Sequence, residues 1–172
     1  TPYLGEELWN LLDGDGPLAT ARWPTPEYDV SEYCIERQLV ASTLEDVRDI
    51  TEVVDIDAPE RIELVVAPAW KFRAYDLARE ADPNEALVGR LMDEEAIRAH
   101  GEAAADYAAT LADRQPGLEP VVDGDDELAI LERARWLFAD EFGADVTVRR
   151  ARDEGDDLGR KAEPNRPAIH IE

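Results

Sequence analysis

The sequence predicts an α+β fold, in which a helical piece is followed by a small mixed piece with about three strands and several helices. Three observations carry this. Apolar residues recur at helical spacing over residues 3–12, 31–55 and 125–142. Three short runs rich in β-formers, at 61–67, 146–148 and 168–171, read as strands. All three strands follow the break at Asp57-Ala58-Pro59, which sets a domain boundary there, giving domains 1–57 and 58–172.

Taken in order, Leu4, Leu8 and Leu11 share one face of the first helix, with Trp9 beside them, and Asp13-Gly14-Asp15-Gly16-Pro17 stops it. That stretch lacks the longer acidic alternation and distant Glu of a calcium loop. Trp23-Pro24-Thr25-Pro26 reads as an extended connector. Ser31 can cap the long helix, whose Val40, Leu44, Val47, Ile50 and Val54 recur at helical spacing. After the first strand, Pro68 suits the first turn of a helix carrying Trp70, Phe72, Tyr75 and Leu77. Asp82-Pro83-Asn84-Glu85 looks like another helix start. Asp93 begins one more helix, with Ile97, Ala104, Ala108 and Leu111 inward, broken at Gln115-Pro116-Gly117. The helix over 125–142 turns Leu128, Leu131, Leu137, Phe138 and Phe142 inward, with Gly143 as its C-cap. Between the last two strands lies a long polar loop, 151–166.

Composition narrows the function. With 44% apolar residues the chain is too hydrophobic for a disordered tail. No run approaches the roughly 20 apolar residues of a membrane span. No basic-plus-apolar leader opens the sequence, and it begins inside an apolar pattern without Met, as a fragment of something longer would. One cysteine, Cys34, and two histidines, His100 and His170, have no zinc-site spacing, and a lone thiol fits a reducing cytoplasm. The formal charge is −23, from 41 acids against 18 bases, of which two are lysines, Lys71 and Lys161. Such acidity argues against nucleic acid unless it reflects adaptation to high salt, where a Debye length of about 3 Å at molar concentration screens self-repulsion. The acids are spread over every segment, which favours the salt reading. Residues 146–172 are balanced: Arg149, Arg150, Arg152, Arg160, Lys161 and Arg166 face six acids. An anionic partner could approach there.

Pro2-Tyr3-Leu4-Gly5-Glu6-Glu7-Leu8-Trp9 resembles the P-[HY]-x-x-E-E-L-W signature in the helical anticodon-binding domain of the leucyl, isoleucyl and valyl synthetases, and Ala21-Arg22-Trp23-Pro24 is similar to the A-x-W-P stretch that follows it. Ala67-Pro68-Ala69-Trp70-Lys71, Ile97-Arg98-Ala99-His100-Gly101 and Arg166-Pro167-Ala168-Ile169-His170-Ile171-Glu172 resemble the W-K, I-R-x-H-G and K-P-A-I-x-I-E segments of the archaeal-type leucyl-tRNA synthetase family. The resemblance covers the whole chain. It departs at 154–161, where such enzymes carry many lysines and this chain reads Glu154-Gly155-Asp156-Asp157-Leu158-Gly159-Arg160-Lys161.

The resemblance implies that 1–57 ends the helical anticodon-binding bundle and that 58–172 is a tRNA-binding domain reaching the long variable arm of leucine tRNA. It implies ATP and magnesium for the full enzyme and no cofactor in this fragment, since H-I-G-H and K-M-S-K-S type motifs are absent here. A cytoplasmic monomer that binds neither DNA nor membrane is implied too. Ile171 could pack on an unpaired base, and Glu172, with two carboxylates at a chain end, could accept from base amino groups beside His170. Arg149, Arg150, Arg160, Lys161 and Arg166 could meet phosphates. For Arg149 and Arg150 a solvated strand edge stands equally open. Trp9, Trp23 and the Trp70-Phe72-Tyr75 group read as core, His100 as a partly exposed helix residue. Glu6 and Glu7 are adjacent and do not face one another, which favours a structural or solvated role over a catalytic pair. Two rival readings are an isoleucyl or valyl enzyme and an acidic protein–protein docking module.

Overall fold

The structure, a computed structural model, describes residues 2–12, 16–21, 30–56, 58–82, 86–152 and 155–172. The expected turn at 13–15, the connector at 23–26 and Asp57 lie outside them. The chain forms two compact units, 1–30 and 31–172.

In the first unit, helix α1 (Pro2–Leu11) is where the periodicity predicts it. The Glu6 carboxylate accepts a hydrogen bond from the Leu18 N–H, and the Trp9 indole N–H donates to the Gly16 carbonyl, each at 3.0 Å. These two residues fold the following 3-10 turn (Leu18–Thr20) back onto the helix. Gly5 lets it approach, since a Cβ there would lie 3.1 Å from Leu18 Cδ2. Leu4, Leu8 and Leu11 are exposed.

The second unit opens with α2 (Val30–Val54). Ser31 lies inside its first turn and is not the expected cap. Leu39, Thr43, Leu44 and Val47 are buried, whereas Val54 is exposed. Thr43 hides its hydroxyl by donating to the Leu39 carbonyl at 2.8 Å. Strand β1 (Arg61–Val66) then leads through Pro68, an N-cap and not a first-turn residue, into α3 (Ala69–Glu80). Helix α4 (Leu87–Asp93) has Ala86 at its N-cap; of the expected helix start at Asp82-Pro83-Asn84-Glu85, residues 83–85 lie outside the described ones. The single helix expected from Asp93 is two: α5 (Glu95–Arg98) and α6 (Gly101–Arg114). The chain breaks at Ala99-His100, and Gly101 has φ +57°, a conformation glycine adopts without strain. The inward positions Ile97, Ala104, Ala108 and Leu111 are buried as predicted.

Helix α7 (Gly124–Phe142) is capped by Asp123, whose side chain accepts from the N–H groups of Asp125 and Asp126, and it ends on Gly143 at φ 66°. Strand β2 (Asp145–Arg150) runs further than expected. The polar loop holds a short helix, α8 (Asp157–Lys161), before β3 (Ala168–Ile171).

The three strands form one sheet in the order β2-β1-β3, with β1 parallel to β2 and antiparallel to β3. Register puts Ile62 and Leu64 beside Val146 and Val148 on one side and Ile171 and Ile169 on the other. This apolar face packs with α2 and α7 through Leu39, Val47, Leu131 and Phe138. A second core joins α3 to α4, α5 and α6 around Trp70, Leu91, Ile97 and Leu111. Helix α3 is the shared wall, giving Phe72 to the first core and Trp70 to the second.

Candidate nucleic-acid interface

The segment 151–172 is held against the rest of the second unit at three points. Arg149 lies in β2 opposite Val65. Its Nε donates to Glu63 Oε1 at 2.7 Å, and its Nη1 to Asp156 Oδ2. Asp156 also caps α8, accepting from the N–H groups of Arg152 and Gly159, both at 3.1 Å. Arg149 and these amides hold the Asp156 carboxyl well below the usual carboxylate range, and the two carboxylates raise Arg149.

The second hold is Lys71. Buried at the start of α3, its Nζ donates to the carbonyls of Gly159, Arg160 and Ala162 at 3.3, 2.8 and 2.7 Å. These are carbonyls at the C-terminal end of α8, where a cation is favoured. Burial pulls the ammonium pKa down, opposed by Glu163. The same Nζ lies 5.2 Å from the Tyr107 ring centroid.

The third is Glu127, fully buried in α7, whose Oε2 accepts from the Asn165 N–H at 2.7 Å. Asn165 sits at φ 59°, in a tight turn closed by the Glu163–Arg166 bridge. Burial pushes the Glu127 carboxyl up to about 7, with Asn165 and Arg150 opposing the shift.

The predicted contact residues fall into separate groups. Arg149 is occupied by two carboxylates. Arg150, on the other face of β2, has its Nη2 2.9 Å from Asp125 Oδ1 and is partly buried. Arg160 and Lys161 project from α8 and are exposed, the Arg160 Nη1 lying 3.6 Å from Asp157 Oδ1. Arg166 is exposed, with Nε 3.9 Å from Asp46 Oδ2. His170, Ile171 and Glu172 lie toward the opposite end of the sheet, where Ile171 faces Ile62 at the start of β1. His170 is exposed, its Nε2 3.3 Å from Glu172 Oε1. Ile171 is half-buried against the sheet core. The Glu172 carbonyl accepts from the N–H groups of Glu60 and Arg61 at 2.7 and 3.1 Å, while its side chain is exposed.

Sequence reasoning missed the place where the W-K and I-R-x-H-G segments meet. Trp70 stacks on His100 with ring centroids 4.8 Å apart and 19° between planes, and Tyr107 meets Trp70 edge-on at 5.6 Å. Next to this stack opens a cleft of about 680 Å³, closed on its other side by the α8 segment with Arg152 and Arg160. The signal was the pairing of those two quoted segments. Among the described residues no three His, Cys, Asp or Glu side chains group to hold a metal, and no helix is long and apolar enough to cross a membrane.

No family model matches the chain. Leucine–tRNA ligase from Halobacterium salinarum is 43% identical over 99% of the chain, the match spanning 19% of that protein. Those from Pyrococcus abyssi and Methanothrix thermoacetophila are 32% and 34% identical over 100% of the chain, spanning 18% and 19% of theirs. The relatives it matches are aminoacyl-tRNA synthetases. Within that class, the chain is homologous to archaeal leucine–tRNA ligases and matches a C-terminal segment of them. It spans about a fifth of the length of these relatives.

Proposed function

We propose that this chain is the tRNA-holding region of a leucine–tRNA ligase, engaging the long variable arm of leucine tRNA while leucine is activated elsewhere in the whole protein. The end-to-end match to leucine–tRNA ligases carries the reading. The geometry supports it. Arg160 and Lys161 stand outward on a helix anchored by Lys71 and Asp156, so phosphate contacts there need little ordering on binding. His170 and the Glu172 side chain are exposed at the other end of the sheet, spaced along β3 for a second contact. In this reading 58–172 is the tRNA-binding domain, and 1–57 completes the helical bundle. ATP and magnesium act in the part of the enzyme beyond this chain, in the cytoplasm, on a monomer. The surface acids are an adaptation to molar salt.

The test is binding of leucine tRNA with intact and with shortened variable arm, in molar KCl. The intact tRNA should bind at least tenfold tighter, about 1.4 kcal/mol. Equal affinity would remove the arm from the proposal. No binding of either would favour the acidic docking module, which the net charge of −23 permits. The same samples test the salt reading. The melting temperature should fall steeply between molar and roughly 0.1 M KCl as the Debye length grows to about 10 Å.

A further inference from the structure

Of the residues lining the cleft beside the Trp70–His100 stack, the proposed contacts use Arg160 alone. Trp70 is buried and His100 only half-buried, so the accessible face of the stacked pair is the imidazole. Arg152 and Arg160 line the same cleft, both exposed. The Tyr107 hydroxyl, on a residue that lines the cleft, is buried without a hydrogen-bond partner among the described residues. The 14-residue helix α6 starts at the cleft: its N-cap His100 makes no side-chain cap bond, and Gly101 and Ala103 line the opening. Its dipole therefore favours an anion there.

The local charge departs from that of the chain. Two of the carboxylates in the lining, Asp156 and Glu163, are each held by an arginine from outside the cleft, Arg149 and Arg114. Asp106 is the other acid in the lining, against Lys71, Arg152 and Arg160. The lining carries three acids and three bases, so in a chain of net charge −23 this is a locally balanced recess with a flat ring on its wall. Its volume falls within the roughly 300–1,000 Å³ of small-molecule sites.

We propose that this cleft takes one unstacked nucleotide of an RNA, its base against His100 and its phosphate between Arg152 and Arg160. The inference rests on the tRNA-holding reading and adds a point of contact apart from the β3 end. A base supplies the flat face that the imidazole matches. A phosphate supplies paired oxygens for the guanidinium forks and a charge for the start of α6. A bare anion would use the arginines and leave the ring idle.

Three probes test this in molar KCl, where the phosphate term is weakened: AMP, inorganic phosphate and leucine tRNA. AMP should shift the His100 ring resonances, and phosphate at equal concentration should not. His100→Ala, and separately the pair Arg152→Ala with Arg160→Ala, should weaken both AMP and tRNA binding about tenfold, the scale of one lost base stack or phosphate clamp. His100→Phe keeps a flat ring and should retain binding, which separates stacking from a loss of fold. Melting temperatures identify any variant that fails to fold, and AMP binding by the arginine pair, whose side chains are exposed, carries the test in that case. An equal response to phosphate overturns the proposal in favour of a simple anion site. No response to AMP, with unchanged tRNA affinity in the variants, overturns it and leaves the tRNA-holding reading standing. If the unaltered chain binds no leucine tRNA, that reading falls, and the AMP titration decides the cleft by itself.

Discussion

Strand β2 and helix α8 each carry two adjacent bases, Arg149-Arg150 and Arg160-Lys161, ten residues apart in the chain. On β2 both guanidiniums are turned to protein carboxylates, Arg149 to Glu63 and Asp156 and Arg150 to Asp125. On α8 both side chains face water, the helix itself being held from behind by Lys71 and Asp156. The difference shows where a cation stands for something: an arginine whose fork is filled by carboxylates, as that of Arg149 is, builds structure, and one projecting from a fixed platform is free to meet a ligand. It also shows that the platform depends on groups far away in sequence.

The sharpest way to break this contrast is to remove the lysine behind α8. Lys71→Ala leaves three carbonyls, two of them buried, without their donor and should cost at least about 4 kcal/mol, since hydrogen bonds to charged groups contribute about 1.5–3 kcal/mol each and an unmade one adds its desolvation. Chemical denaturation in molar KCl measures this, and a loss below about 1 kcal/mol would mean that α8 is held by something else.

Glu127 comes next, and it sharpens the comparison through pH. Its folded pKa, about 7, is raised above the usual value near 4.5, so the folded chain keeps a proton that the unfolded chain has released. Stability from this group is therefore fully present below about pH 4.5, declines as pH rises, and is lost above about 7. The total is roughly 3 kcal/mol, at about 1.4 kcal/mol per pKa unit. Glu127→Gln should abolish that slope and be the more stable form at pH 8. Parallel pH dependence of the two chains would show that Glu127 is not the titrating group.

Asp156→Ala should cost about 2 kcal/mol at neutral pH, from a lost cap and a half-buried ion pair. Its sign is opposite to that of Glu127. A depressed carboxyl contributes stability above its unfolded pKa of about 3.9 and loses it as pH falls below that. Equal stability of the variant and the unaltered chain at pH 7 would show the Arg149 pair to be slack.

Smallest for the fold, and largest for the ligand, is the pair Arg160→Ser with Lys161→Ser. Stability should stay within about 0.5 kcal/mol, as for exposed sites generally. The affinity for leucine tRNA should drop and its salt slope should become shallower by up to about two charges. An unaltered slope would place the phosphate contacts elsewhere.

Much of the second unit was legible because its signals are local or periodic. Strand β1, the burial of Leu131 and Phe138 and the Gly143 cap follow from patterning within a few residues. The break between α5 and α6 was hidden because Ile97 and Ala104 face inward on both sides of it, so the apolar rhythm runs on; only Gly101 marked the place. Helix α8 was invisible for a different reason. Five residues cannot sustain a helix by propensity, and this one exists through a cap from Asp156 and a lysine 88 residues or more away. The stack of Trp70 on His100 and the cleft beside it join segments about thirty residues apart, which spacing alone does not bring together.

Strand β1 has a consequence for the order in which the chain can fold. It is the middle strand, yet both of its neighbours come from much later: Ile62 pairs with Val146 on one side and Ile171 on the other. Helices α3 to α6 contact one another over short separations and can assemble while synthesis continues. The sheet must wait until residues 168–171 have left the ribosome. During that interval Ile62-Glu63-Leu64-Val65-Val66 is an apolar strand with both edges open, the part of the chain most exposed to wrong pairing. Long-range closure of this kind is slow, so refolding should show early helix signal and a later phase for the sheet.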